Sequence, residues 1–394
     1  MLLDIVFIIA GLVLLILGGE ALVRGASTLA ATVGISPLVI GLVVVSAATS
    51  APELAVTIGA VLRGEPDLAL GNVVGSNIVN ILLILGLSAM VLPLLIKRQL
   101  VRFDIPVMVG MSILLLVLSL DGQIGLLDGV LLLGGLVAHT VISILVSRRE
   151  VAAQVEGAGT ALVPTPEKPV PLWLAGILLV AGIGLLVLGA QLLVDGAVSI
   201  ALSLGLSSLV VGLTIVAVGT SLPELATSII AVRRGERDMA VGNIVGSNIF
   251  NIGMVLGLPA IIFGQGIPVP PAAIAFDLPV MLAAAVALLP FAFTGFVIAR
   301  WEGALFVLIY AAYTVYLVLA ATEHDALEGF TDIMLLFVLP LVVVTIIVAT
   351  SYEVGVIRGR RQALAAADQR GAATPSGDAE TTTAGDASGA PPAD

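Results

Sequence analysis

The sequence predicts an all-α polytopic membrane protein: two inverted five-helix repeats, ten spans in all, plus an eleventh C-terminal transmembrane helix. Three observations carry that prediction. The 394 residues are 59% hydrophobic and only 11% charged, with a mean hydropathy of +1.19, whereas soluble domains average about 25% charged. The apolar residues fall into eleven runs of roughly bilayer-spanning length. A stretch of 41 residues starting at Gly41 recurs at Gly212, an offset of 171, with 26 identities and no gap.

In chain order, the first run is 3–23. Its opening, MLLDIVFII, has no basic residue and carries Asp4. A secretory signal begins with a positive segment, so this helix is expected to be retained. The second run, 35–62, is interrupted at 48–54 by ATSAPEL, with Pro52 and Glu53. The third, 68–94, carries GNVVGSNIVN at 71–80. Runs 104–120 and 126–147 complete a first half, 1–148. A polar, Pro-containing loop, 149–170, leads to the second half, 171–322, with runs 171–194, 206–232, 239–264, 275–296 and 302–321. Its second and third runs carry GTSLPEL at 219–225 and GNIVGSNIFN at 242–251. Run 331–351 supplies the extra helix of segment 323–352. The tail, 353–394, is Ala, Gly, Pro, Thr and Asp with little to bury, which predicts disorder.

Basic residues orient the spans. Alternating the loops places fifteen of the 16 Lys and Arg on one side, Arg24, Lys97, Arg98, Arg102 and Arg300 among them, and Arg63 alone on the other. The positive-inside rule makes the first side cytoplasmic, with the N-terminus outside and the tail inside. Without the eleventh span, the four arginines of the tail would change sides. Trp173 and Trp301 fall at cytoplasmic span ends, as interfacial anchors do. The absence of cysteine excludes disulfides and thiolate metal sites. Neither a nucleophile–base pair nor a metal cluster points to an enzyme. The GNVVGSN runs lack the lysine of a phosphate loop. The outer loop with Glu323, His324, Asp325, Glu328 and Asp332 reads as solvated surface.

The offset spans five helices, an odd number, so the two copies cross the membrane in opposite senses. Charges agree: the loop of the first copy holds Arg63, that of the second Arg233, Arg234 and Arg237. Inverted repeats with interrupted helices place a substrate site at the repeat interface near the midplane, the architecture of secondary transporters.

Thr49, Ser50 and Glu53, like Thr220, Ser221 and Glu224, share one helix face at spacing i, i+1, i+4. Pro52 and Pro223 lack an N–H and leave the carbonyls of Ala48 and Gly219 without their helical donors, costly in lipid unless they face an ion or water. Alone, such a proline reads as a kink, and Ser or Thr as bonded to its own helix. An intramembrane glutamate is costly and functional by default, and here it recurs in both copies. The set is all oxygen, suited to Ca²⁺ or Na⁺ and poor for Zn²⁺ or Cu²⁺. In the second motif, Asn72, Ser76 and Asn80 follow i, i+4, i+8, as do Asn243, Ser247 and Asn251. Gly71 with Gly75, and Gly242 with Gly246, allow a close helix approach. Asn80 and Asn251 read either as ligands or as interhelical hydrogen-bonding residues, and so do Asn77 and Asn248, one step off the stripe. Asp67 and Asp238 read as helix N-terminal residues.

These paired motifs resemble the alpha repeats of the cation/Ca²⁺ exchanger superfamily, specifically the prokaryotic sodium/calcium exchanger type. The resemblance implies a ten-helix exchanger core over about 1–321, with the site lined by broken second and seventh helices and by the third and eighth. It makes Glu53 and Glu224 the principal Ca²⁺ ligands, assisted by Thr49 and Thr220. Ser50, Ser76, Ser221 and Ser247 would form flanking Na⁺ sites with backbone oxygens near Ser46 and Ala217, and Asn80 and Asn251 would close the centre. Ca²⁺ and Na⁺ are then the substrates, in the plasma membrane, with no cofactor and no nucleic-acid or protein partner. Ala48 stands against Gly219 and Ser46 against Ala217, where the Ser46 hydroxyl would alter one Na⁺ site. Some members have Asp at one of the two Asn positions, so Asn at both 80 and 251 leans against K⁺ co-transport.

Two ionised glutamates carry −2, which one Ca²⁺ or two Na⁺ would neutralise, and an empty charged site cannot cross lipid cheaply. The expected activity is therefore exchange of Na⁺ for Ca²⁺ by alternating access, extruding Ca²⁺. If three Na⁺ bind, as the resemblance implies, exchange is electrogenic. Close carboxylates also attract protons, which should compete with the cations. The alternatives are a H⁺/Ca²⁺ antiporter using the same glutamates, or a Ca²⁺-permeable channel.

Overall fold

The computed structural model describes residues 2–157, 171–205, 214, 215, 217–264, 266–293, 296–340 and 342–344, with isolated positions 347, 351 and 355. The chain divides into two compact units, Met1–Ile346 and Ile347–Asp394, and every element below belongs to the first. Among the described residues, eight helices are long and apolar enough to cross a membrane, nine if one pair bent by 41° is a single span. They are Leu2–Val33, the bent pair Pro37–Thr49 and Ala51–Leu62, Leu68–Val91, Leu100–Asp121, Leu126–Arg149, Leu172–Ser203, Arg237–Phe263, Ala273–Ala292 and Arg300–Ala321. The expected seventh span is described over its later part, as Ala217–Gly219 and Leu222–Arg233; 206–213 lie outside the described residues. The expected eleventh begins as Ala326–Ile333 and continues through π-helical turns, Met334–Val338, but most of 345–351 lies outside. Most of the inter-repeat loop (158–170) and nearly all of the tail do so too.

The first and sixth helices run about ten residues past the apolar runs that predict them. The first ends in Arg24–Val33, RGASTLAATV, small and polar but helix-compatible. Its packing partner, Leu172–Ser203, runs alongside it as far as the start of the extension. Gly11 faces Gly189, Gly18 faces Gly182 and Gly25 faces Ala175, an antiparallel crossing too tight for side chains. A Cβ on Gly11 would lie 2.7 Å from the Gly189 carbonyl oxygen, and one on Gly18 2.9 Å from that of Gly182. The offset of 171 maps Gly11 onto Gly182 and Gly18 onto Gly189. The two contacts therefore exchange under the repeat relation, as a two-fold axis between the halves requires.

Two short strand pairs repeat the same logic. Leu94–Leu95, after the third span of the first half, pairs antiparallel with Val297–Ile298, between the last two spans of the second. Gln123–Ile124, between the last two spans of the first half, pairs with Ile267–Pro268, after the third span of the second. Loops grouped on one side by charge also meet at one end of the bundle. Lys97 Nζ lies 2.7 Å from Asp238, Arg237 Nη1 donates to the Pro93 carbonyl at 3.2 Å, and Arg234 pairs with Glu20. Trp173 and Trp301 are both exposed, as anchors in the interface would be.

Candidate functional site

Both glutamates stand in the first turn of a restarted helix. Ser50 leaves helical geometry (φ −81°, ψ 3°), as does Ser221 (φ −91°, ψ 8°), and new helices begin at Ala51 and Leu222 with Pro52 and Pro223 in their first turns. A proline there forfeits no hydrogen bond, because first-turn N–H groups have no intrahelical acceptor. The prolines thus open the second half of a broken helix. Glu53 and Glu224 follow one residue later, where the free amides of a helix N-terminus favour negative charge. Both are buried, 0% and 1% exposed.

The two helices present each carboxylate to hydroxyls of the other repeat. Ser221 Oγ donates to Glu53 Oε1 at 3.5 Å, with the Thr220 hydroxyl beside the same carboxylate. Thr49 and Ser50 flank Glu224 without completing a hydrogen bond to it. The helix Ala51–Leu62 packs on Asn251–Leu256, and Leu222–Arg233 packs on Val79–Leu85, so the asparagine-bearing segments are also exchanged between halves. Glu53 Oε2, both Glu224 carboxylate oxygens, the hydroxyls of Ser50, Ser76 and Ser247, both polar atoms of the Asn80 amide, and the amide oxygens of Asn248 and Asn251 are buried without a hydrogen-bond partner. Buried polar atoms are normally paired. A concentration of unpaired oxygens around two carboxylates is chemically fit for a hard cation. Among the described residues no three of His, Cys, Asp and Glu group as a metal site, so the anionic charge of this cluster comes from the two glutamates.

A set of amides holds the frame. Asn72 Nδ2 donates to the Glu53 carbonyl at 3.0 Å and to Thr57 Oγ1 at 3.0 Å. Its counterpart Asn243 donates to Ser228 Oγ at 3.1 Å and accepts from Thr49 Oγ1 at 3.3 Å. Asn251 Nδ2 donates to Asn77 Oδ1 at 3.1 Å, and Asn77 Nδ2 donates to the Asn248 carbonyl at 3.4 Å. Asn77, one step off the expected stripe, therefore bridges the halves. That stripe assumes a uniform helix, yet Val79–Leu85 and Asn251–Leu256 are π-helical. Such turns recur at functional sites.

Ser46 spends its hydroxyl on the Leu42 carbonyl of its own helix, at 2.5 Å, and its carbonyl accepts from Ser50 N at 2.9 Å. The Ala217 backbone lies in Ala217–Gly219; its side chain is outside the described set. Gly242 and Gly246 behave as expected, lying against the carbonyls of Leu38 and Leu42 with no room for a Cβ. The segment corresponding to Leu38–Leu42 in the other copy includes 209–213, outside the described residues, so the equivalent crossing at Gly71 and Gly75 is not described. Asp238 opens its helix and also pairs with Lys97. Sequence reasoning missed the roles of Thr57 and Ser228, although a hydroxyl recurs four residues after each glutamate. It also missed a buried contact between Asp104 and His139, 2.9 Å apart.

Comparison with known proteins gives consistent matches. A family model described as sodium/calcium exchanger protein matches residues 3–145 and 174–319. The chain is 40% identical over 289 residues to the putative antiporter CaxA of Alkalimonas amylolytica, covering 73% of this chain and 89% of that one. It is 32% identical over 345 residues to the sodium/calcium exchanger MaX1 of Methanosarcina acetivorans, covering 80% and 98%. Among solved structures, the sodium-calcium exchanger NCX_Mj matches with a TM-score of 0.66 at 32% identity, covering 78% of this chain and 96% of that one.

Proposed function

This chain belongs to the sodium/calcium exchanger protein family and is a multi-pass membrane transporter, and on that premise we propose that it exchanges Na⁺ for Ca²⁺ by alternating access. The observation that carries the proposal is the pair of buried glutamates, one from each inverted repeat, surrounded by unpartnered oxygens. In this reading Glu53 and Glu224 bind Ca²⁺ together with Thr49 and Thr220. Ser50, Ser76, Ser221 and Ser247 contribute to Na⁺ positions, with backbone oxygens near Ser46 and Ala217. Asn80 and Asn251 close the centre. Charge makes the occupancies mutually exclusive: the two carboxylates are neutralised by one Ca²⁺ or by two Na⁺. A third Na⁺ leaves one positive charge, and moving it across 100 mV is worth about 2.3 kcal/mol. With Na⁺ high outside and the cytoplasm negative, that direction extrudes Ca²⁺. The proposed setting is the cell membrane, with the N-terminus outside, halves 1–148 and 171–322 joined on the cytoplasmic side, and the tail inside.

Proteoliposomes loaded with Na⁺ and diluted into Na⁺-free medium containing ⁴⁵Ca²⁺ test this. Uptake is expected only while a Na⁺ gradient exists. Uptake driven equally well by a pH gradient would replace Na⁺ with H⁺ as the coupling ion. Uptake without any counter-ion gradient would make the protein a channel.

A further inference from the structure

Apart from the glutamates, the first half buries an acid–base pair. Asp104, on the helix Leu100–Asp121, and His139, on the helix Leu126–Gly157, are both buried. His139 Nε2 lies 2.9 Å from Asp104 Oδ1, and Ser143 Oγ donates to that same oxygen at 3.1 Å. Asp104 Oδ2 is buried without a partner. Phe103 stacks on the imidazole, with centroids 5.6 Å apart and planes at 16°.

The second half contains a related frame around a part-buried aspartate. FDIPVM at 103–108 returns as FDLPVM at 276–281. Phe276 stacks on Tyr313, 6.2 Å apart at 17°, and the Tyr313 hydroxyl donates to Asp277 Oδ1 at 3.4 Å. A phenol thus stands where the first half has an imidazole. Beside a carboxylate, a phenol donates its proton and accepts no second one near neutral pH, whereas an imidazole changes charge in that range.

A file of hydroxyls leads away from the pair. His139, Ser143 and Ser147 recur every four residues and so share one stripe of their helix. Ser147 Oγ donates to Ser36 Oγ at 3.1 Å and accepts from Ser36 N at 2.8 Å. The stripe runs toward the exposed Arg148 and Arg149, the end assigned to the cytoplasm by charge. The same helix backs the glutamate site. Leu132 and Leu136 lie against Gly253, in the π-helical segment that begins at Asn251, and His139 follows Leu136 by about one turn.

Among the described side chains, the other charged groups on the packed elements are engaged elsewhere or exposed. Arg102, Arg148 and Arg149 are exposed. Asp121 accepts from Gln123 N and Asp128 from Gly125 N, both at the opposite end. Asp238 pairs with Lys97 and Arg237 donates to Pro93, while Asp277 is bonded to Tyr313. Pro37–Ile40, Asn251–Leu256 and Gly257–Phe263 bring no titratable side chain. With one proton shared, the Asp104–His139 pair carries no net charge. Without it, a buried carboxylate is left with a neutral imidazole and an unpaired oxygen, an expensive arrangement.

We propose that Asp104 and His139 bind one exchangeable proton, reached from the cytoplasmic end past Ser147 and Ser143, and that losing it weakens the helix packing behind Asn251 and slows transport. This site is separate from the glutamates and does not depend on which ion drives exchange.

The chain has 2 histidines, so ¹⁵N-histidine NMR of the full-length protein in nanodiscs, with His139→Gln to assign the signal, reads the site directly. A single one-proton change in the charge state of His139 as pH is raised is the expected result. In proteoliposomes at equal pH on both sides and a fixed Na⁺ gradient, ⁴⁵Ca²⁺ uptake by the wild type should fall about threefold or more as pH rises through that step. The double variant D104N/H139Q, and His139→Tyr, which borrows the side chain of the second half, should hold their rates within about twofold. A His139 that keeps one charge state throughout, or variants that retain the wild-type fall, would overturn the proposal. If both variants misfold, the NMR titration of the wild type still decides.

Discussion

In the first half, Glu53 accepts a hydrogen bond from Ser221 and its backbone carbonyl is held by Asn72. In the second, neither carboxylate oxygen of Glu224 has a partner, and Asn243, while bonded to Ser228 as Asn72 is to Thr57, accepts from Thr49. The asparagines differ in the same way: Asn251 donates to Asn77, whereas both polar atoms of Asn80 are unpaired. Equal residues therefore stand in unequal environments, although the surrounding glycine contacts and strand pairs exchange between the halves. A transporter built from inverted repeats works by such inequality. Its two orientations are related by letting each half adopt the environment of the other around one fixed site.

The largest effect should come from removing either charge. Glu53→Gln and Glu224→Gln should each lower ⁴⁵Ca²⁺ uptake by at least about a hundredfold, because losing the charged partner of a buried ion costs about 3–5 kcal/mol. Equal losses would support shared ligation despite the unequal environments; normal transport in either variant would sink the assignment. Next come the asparagine latches. Asn243→Ala removes a partner from the buried Thr49 and Ser228 hydroxyls and should lower stability in detergent by about 1–3 kcal/mol. Asn72→Ala, at a half-buried position, should cost less. Thermal unfolding ranks them, and the reverse order would break the comparison.

Ser221→Ala removes the one hydroxyl bonded to Glu53, worth about 1 kcal/mol or roughly fivefold in Ca²⁺ affinity. If the halves exchange environments during turnover, Ser50→Ala should slow uptake as much as Ser221→Ala does. A lasting difference would make the asymmetry a fixed property of the fold. The smallest effect is expected for Ser46→Ala, within about twofold of wild-type uptake, because that hydroxyl bonds back to its own helix.

Much of this was legible before any coordinates. The duplicated motif fixed which residues correspond, the odd number of intervening spans fixed their inversion, and Glu53 and Glu224 stood out by their cost in lipid. The interrupted helices were read from the prolines within the apolar runs, and the structure locates each break at the serine three residues before the glutamate. What stayed hidden depended on departures from regular geometry or on contacts distant in sequence. The first helix continues past Val23, where hydropathy fails, and its packing against Leu172–Ser203 reaches Gly25. Asn77, on the regular helix before the π-helical turn, takes the bridging role through contacts with the other half. Asp104 and His139 are 35 residues apart on separate helices, so neither periodicity nor spacing joins them, although the repeated FD(I/L)PVM marks one partner.

The central claim is that the two halves build one cation site rather than one each. Equilibrium Ca²⁺ binding to purified protein, titrated against Na⁺, tests it directly. The expected result is a single Ca²⁺ per chain, displaced by Na⁺ and lost in Glu53→Gln and in Glu224→Gln alike. Two Ca²⁺ per chain, with one surviving in each single variant, would contradict it.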